Sequence, residues 1–214
     1  SHNGTDFSIP VGSTVTAAAP GRVVRLASEF NRGGLKLFID HGEGLMTCTA
    51  HLARPLVAVG DTVERGQPVA LSGYSGIDAL VTFPWGTPHI HFNVWLDAEP
   101  VDPFPHGDAT SMWRAGDLPR PAAREPGSAE PSGWDADRVA DGIDACLTRS
   151  SRERIAAIEP LEQRGAALVA EMNYYPTRFP RRISPYASTK GRAPHLDLPF
   201  SADEFDGIVF VDDL

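Results

Sequence analysis

Glycine turns cut the first hundred residues of this chain into short runs of strand formers, a spacing that points to sheet. Pro20-Gly21, Gly33-Gly34 and His41-Gly42-Glu43-Gly44 separate strand-forming runs at 14–18, 22–26, 35–39 and 45–49, and turn residues between such runs mark successive strands. Two further short strands are expected near 56–59 and 68–72, beside Gly60-Asp61 and Arg65-Gly66, and a last one from His89 to Leu96. The 35–39 run alternates apolar and basic residues, the pattern of a strand with one buried and one wet face. No helical periodicity competes between residues 8 and 100. Val11-Gly12-Ser13-Thr14-Val15 recurs as Val59-Gly60-Asp61-Thr62-Val63, which suggests a sheet built from two related halves.

The character changes after Asp102. Residues 103–133 are rich in Pro, Gly, Ala and Ser, with Pro103, Pro105, Pro119, Pro121, Pro126 and Pro131, and read as a linker or an extended wrap. Two helices are expected to follow. The first covers about 135–147, with Val139, Ile143 and Leu147 spaced for one face. The second starts at Ser150 or Ser151 and is broken, kinked or restarted by Pro160, beyond which Leu161, Leu168 and Met172 continue an apolar stripe. Residues 173–200 read as irregular, and Gly207-Ile208-Val209-Phe210-Val211 as a closing strand. The organisation expected is thus a β domain over 1–102, a proline-rich segment over 103–133 and a helical and irregular extension over 134–214.

Composition narrows the function classes. The chain has 214 residues, 42% hydrophobic and 22% charged, enough for one domain with an appendage. Residues 1–106 carry 6 basic and 10 acidic groups and residues 107–214 carry 13 and 18, so the net charge of −9 is spread over both halves. No basic footprint for nucleic acid results. Cys48, in an expected strand, and Cys146, on an expected helix, form neither a disulfide framework nor a zinc pattern and read as buried thiols. No apolar run is long enough to span a membrane. Because a candidate ligand sits at residue 2, the natural protein is expected to continue upstream, with any export signal there.

Chemistry concentrates in His2, Asp6, His51, His89 and His91. On a strand, residues 89 and 91 point to one face, so both imidazoles look into one space and can share a metal, or place one on it and one beside it. Gly4 and Pro10-Val11-Gly12 make the His2–Asp6 stretch a loop leading into a strand. His51 closes the 45–50 strand, where a side chain can project over a cleft. His41, His106 and His195 read as surface or turn histidines. An H-x-x-x-D pair, a lone histidine and an H-x-H pair have the composition of a catalytic zinc site, whose three protein ligands leave a fourth position for water.

The same stretch resembles the lysostaphin-type, LytM-like zinc metallopeptidases that cut peptidoglycan cross-bridges. The matching residues are His2-x-Gly4-x-Asp6-Phe7, Pro10-x-Gly12-x-x-Val15-x-Ala17-Ala18, Gly21-x-Val23, Asp40-His41-Gly42, Ala50-His51-Leu52, Val59-Gly60-x-x-Val63, Gly66-Gln67 and Pro88-His89-Ile90-His91-Phe92. The resemblance covers about the first hundred residues. It implies a mainly β fold, a split β-barrel or barrel-sandwich hybrid (duplicated hybrid motif), and leaves unexplained the C-terminal, partly helical extension read above from the residues. It further implies His2, Asp6 and His91 as zinc ligands, with His51 and His89 flanking the attacking water and the tetrahedral intermediate. One departure is the segment after Gly73-Tyr74-Ser75-Gly76, a longer and more aromatic loop than family members commonly carry. Tyr74, Phe83 and Trp85 are therefore candidate substrate contacts.

The function expected is an exported zinc endopeptidase acting on peptidoglycan peptides in the periplasm, at the cell envelope or outside the cell. Its extension could cover the groove, bind a protein partner or buttress the sheet. Two rivals stand beside it. A catalytically latent regulator of another wall hydrolase would use the same fold. A lipoyl- or biotinyl-like carrier would need a lysine at a hairpin tip, and neither Lys36 nor Lys190 lies in such a turn.

Overall fold

The structure, a computed structural model, describes residues 3–81 and 87–211. Strands β1 (Thr5–Ser8), β2 (Thr14–Thr16), β3 (Gly21–Glu29), β4 (Gly34–Asp40), β5 (Leu45–Pro55), β6 (Thr62–Val63) and β7 (Pro68–Ser72) precede a short helix α1 (Ile77–Val81). Strands β8 (His89–Leu96), β9 (Glu99–Pro100) and β10 (Pro121–Ala122) follow, then helices α2 (Ala136–Asp144), α3 (Arg149–Ala156) and α4 (Leu161–Tyr174), and strand β11 (Leu198–Ser201). The architecture is mainly β with a partly helical C-terminal half.

The sheet runs β10-β11-β2-β7-β5-β4-β3-β6, with β8 attached to β5 and carrying β1 and β9 on its flanks. Strand β5 is the fork. Residues 45–50 pair with β8 and residues 52–55 with β7, while β4 runs along the opposite edge. On β4 the register steps from Leu37↔Thr49 to Leu35↔Leu52, so β5 holds one extra residue, a β-bulge that bends the strand and splits the sheet. His51 lies in that bulge with φ +60°.

Several local expectations are corrected. Residues 56–59 form a bend and turn, because β5 continues through Pro55. The five-residue α1 lies where only sheet and loop were expected, too short to leave a periodic signal. The closing strand is Leu198–Ser201, which pairs Phe200 with Val15 of β2. The 207–211 run forms no strand; Val209 and Val211 are exposed, since β11 already occupies the edge of β2. The two similar pentapeptides do share local form, each a turn leading to a short strand that ends on or near a buried valine, Val15 and Val63.

Two cores sit on the two faces of the sheet. The first gathers Phe7, Val15, Val23, Ile39, Ile90, Phe92 and Val94 with Met112, Trp113, Leu198 and Phe200 from the C-terminal half. Trp113 stacks on Phe92 with ring centroids 6.2 Å apart, so the proline-rich segment wraps the sheet. The second joins Phe38, Met46, Cys48 and Trp95 to Val139, Ile143, Ile155, Leu168 and Met172 of the helices. This second core overturns the one-wet-face reading of residues 35–39. Lys36 is only 1% exposed, its Nζ 3.0 Å from Glu29 Oε1 and 4.1 Å from the centre of the Tyr174 ring, because α4 covers that face. A lysine so enclosed also removes the carrier reading at that position. Pro160 separates α3 from α4, and the Asp135 carboxylate caps α2 by accepting from the N–H groups of Asp137 and Arg138. Cys48 and Cys146 are buried and free, but Cys146 lies in the turn between α2 and α3 rather than on a helix.

His41 is also buried, against the surface reading. Its Nδ1–H donates to the Pro20 carbonyl and its Nε2 accepts from the Thr47 hydroxyl, both at 2.9 Å. His106 is exposed and His195 half-buried.

Candidate active site

Antiparallel pairing of β1 with β8 sets Asp6 directly opposite His91 and Ser8 opposite His89. Opposed residues share a face, so the Asp6 carboxylate and the His91 imidazole meet, with Oδ1 2.7 Å from Nδ1. Gly4 is required here. A β-carbon on it would lie 2.7 Å from both His91 Nε2 and Asn93 Nδ2, closer than real side chains approach.

His51 reaches the same space from the bulge in β5, and its ring centroid is 4.8 Å from that of His89 and 6.3 Å from that of His91. Its backbone N–H donates to the Gly33 carbonyl at 2.7 Å. Its Nδ1–H donates to the Ser75 carbonyl at 2.8 Å. His89 is held alike, its Nδ1–H donating to the Thr87 carbonyl at 2.9 Å. A carbonyl only accepts, so each neutral ring carries its proton on Nδ1 and keeps the Nε2 lone pair.

Ser75 is fixed in turn. Its hydroxyl donates to the Leu52 carbonyl at 2.7 Å and accepts from Leu35 N–H at 2.9 Å. Gly34, at φ +56°, admits it: a β-carbon there would be 2.3 Å from the Ser75 carbonyl oxygen. Asp78, at the start of α1, accepts from Gly33 N–H at 2.7 Å and holds its other oxygen 4.0 Å from His51 Nδ1. Burial lowers the His51 pKa below the usual imidazole value; the Ser75 carbonyl and Asp78 oppose the shift, while His89 and His91 add to it. His51 is therefore neutral near pH 7, the state a proton acceptor needs.

Of the expected site residues, Asp6, His51, His89 and His91 converge. His2, Phe83 and Trp85 lie outside the described residues. Tyr74 is half-buried, next to Ser75 in the segment that holds His51. Among the described residues no three His, Cys, Asp or Glu side chains form a metal-holding group; Asp6 and His91 are the described part of the expected trio. Reading the sequence missed Ser75, Asp78 and Asn93. Only Asn93 left a signal, standing two residues beyond His91 on the same strand face.

The model for peptidase family M23 matches residues 1–103. Peptidoglycan DD-endopeptidase ShyB of Vibrio cholerae is 38% identical over 101 residues, 47% of this chain and 22% of that protein. Murein hydrolase activator EnvC of Escherichia coli is 36% identical over 94 residues, 44% of this chain and 20% of that protein. A solved structure of a zinc-containing peptidase from Vibrio cholerae is 38% identical, covering 47% of this chain and 29% of that one with a TM-score of 0.42. The chain thus spans about a fifth of the length of these two curated relatives.

Proposed function

Residues 1–103 belong to peptidase family M23, and on that premise we propose that this chain is a zinc-dependent endopeptidase that hydrolyses peptide bonds in peptidoglycan cross-links or stem peptides. The observation that carries the reading is the convergence of Asp6, His91, His51 and His89 on one face of a forked sheet.

His2, Asp6 and His91 would hold the zinc. A carboxylate oxygen and an imidazole nitrogen brought together from neighbouring strands are donors of the kind zinc takes, which fits the ion. Bound there, zinc would polarise the scissile carbonyl and acidify the attacking water. His51, neutral and pinned through Nδ1, offers its Nε2 lone pair to take a proton from that water. His89, in its protonated form, would donate through Nε2–H to the oxyanion, or would give that proton to the departing amine nitrogen and be restored by the proton that His51 took from the water. The amide C–N bond breaks, the water oxygen stays on the carbonyl carbon, and the abstracted proton ends on the amine. Tyr74, Phe83 and Trp85 belong to the stretch between β7 and β8 and would contact the substrate.

The same reading places the protein at the cell envelope, in the periplasm or outside the cell, where such a substrate is found. No helix among the described residues is long and apolar enough to cross a membrane.

A second reading, a latent regulator of another wall hydrolase, draws on the similarity to EnvC and on the C-terminal half packed against the sheet that bears the site. Metal analysis of the purified chain together with mass spectrometry of digested peptidoglycan separates the two. One zinc per chain with newly exposed amino groups is expected. Zinc without cleavage would favour the regulator, and neither would sink the enzyme.

A further inference from the structure

The helical layer reaches the site along strand β8. Residues 89, 91, 93 and 95 share a face, each pair separated by ~6.6–6.8 Å of strand. Asn93 is the next row after His91, and it is there that α4 ends. The Tyr174 hydroxyl donates to Asn93 Oδ1 at 3.2 Å. Cys48, opposite Asn93 in the β5–β8 register, places its Sγ 3.4 Å from the same hydroxyl. The Tyr174 ring stands edge-on to Trp95, centroids 6.0 Å apart, and Lys36 Nζ lies 4.1 Å from its centre. Tyr175, the next residue, donates to Glu29 Oε2 at 2.7 Å, while Glu29 Oε1 pairs with Lys36.

With its oxygen engaged by Tyr174, the Asn93 amide turns its nitrogen toward Gly4. A β-carbon on Gly4 would sit 2.7 Å from Asn93 Nδ2 and 2.7 Å from His91 Nε2. The face of Gly4 that lacks a side chain thus looks onto both the amide and the imidazole, two residues before Asp6. We propose that Tyr174 is a positioning residue for the metal-holding site, acting through Asn93 on Gly4 and His91, so that the C-terminal half completes the catalytic domain. The proposal rests on the zinc-peptidase reading above.

Tyr174→Phe keeps the ring, with its Trp95 and Lys36 contacts, and deletes only the hydroxyl. Supports behind metal ligands are worth roughly 10–100-fold in metal affinity or activity. The expected result is therefore a zinc Kd, measured by chelator competition, raised by about that factor, with kcat on peptidoglycan peptides lowered and KM unchanged. Asn93→Ala should do the same, and the double variant should be no worse than Asn93→Ala alone, because residues on one path are not additive. Ile143→Val removes a methyl group from the same helical layer without touching this path, so it should keep the parent zinc affinity. A Tyr174→Phe protein with the parent zinc Kd, or additive losses in the double variant, would overturn the inference and leave the peptidase reading standing. A parent chain that binds no zinc would overturn both.

Discussion

At the scale of single residues, His51 carries the strain of the site. Its φ of +60° puts a side-chain-bearing residue in the left-handed region, at a cost of about 1–2 kcal/mol. In that conformation the imidazole lies 4.8 Å from His89, ring centre to ring centre. Asparagine tolerates the region better than alanine does, so His51→Asn should be about 1 kcal/mol more stable than His51→Ala in urea denaturation. Both should keep zinc and lose roughly 10²–10⁴-fold in turnover. Retained turnover in His51→Ala would remove its role as base. Part of the convergence was legible, because sheet period alone places His89 and His91 on one face; that Asp6 meets His91 follows from the β1–β8 register, which the sequence does not record. The groups that orient them were not legible. Ser75 and Asp78 act only once Gly34 lets a loop lie against β4, and Tyr174 comes from the far end of the chain.

At the scale of elements, apolar spacing located α2 and α4, since Val139, Ile143, Leu168 and Met172 are all buried. It failed at Leu147, which lies past the end of α2 and is exposed. It failed also at Lys36, where the sequence records a charge but not the Glu29 and Tyr174 that enclose it. Helix α4 offers a test in which propensity and packing disagree. Gly165 lies against the indole of Trp134, and a β-carbon there would be 2.1 Å from Cε3. The Trp134 ring is backed by Tyr186 at 4.5 Å between centroids. Replacing a helical glycine with alanine gains about 0.8–1 kcal/mol of propensity, but overpacking a filled site costs about 1–3 kcal/mol. Gly165→Ala should therefore lower the melting temperature, by a few degrees for each kcal/mol of net loss in a chain of this size. A rise would mean that the indole moves aside freely and that packing here is loose.

At the scale of the whole molecule, acid should loosen the fold before it reaches the carboxylates. Burial holds the His41 pKa down at about 3, from 6.5, so the folded state resists a proton that the unfolded state accepts. The stability this contributes is complete above pH 6.5 and drains as pH falls toward 3, amounting to several kcal/mol at roughly 1.4 kcal/mol per unit. Urea midpoints taken between pH 7.5 and 4 should fall steadily, and His41→Gln should start lower but flatten the slope; a midpoint unmoved by pH would contradict the buried neutral ring. Truncation tests the larger question of where the domain ends. The family match stops at residue 103, which suggests that a fragment of that length could stand alone. Packing argues against it. Phe38, Met46 and Trp95 are buried under helices that such a fragment lacks, and each large side chain exposed forfeits about 1.5–3 kcal/mol. Their combined loss approaches the whole stability of a typical domain, about 5–15 kcal/mol. The fragment would also uncover Lys36 and strip Trp113 from Phe92. A 1–103 fragment should therefore lack a cooperative thermal transition and bind zinc more weakly than the full chain. Should it instead melt cooperatively within a few degrees of the full chain, the helical layer would be a detachable covering, and the support that α4 gives to Asn93 would lose its structural basis.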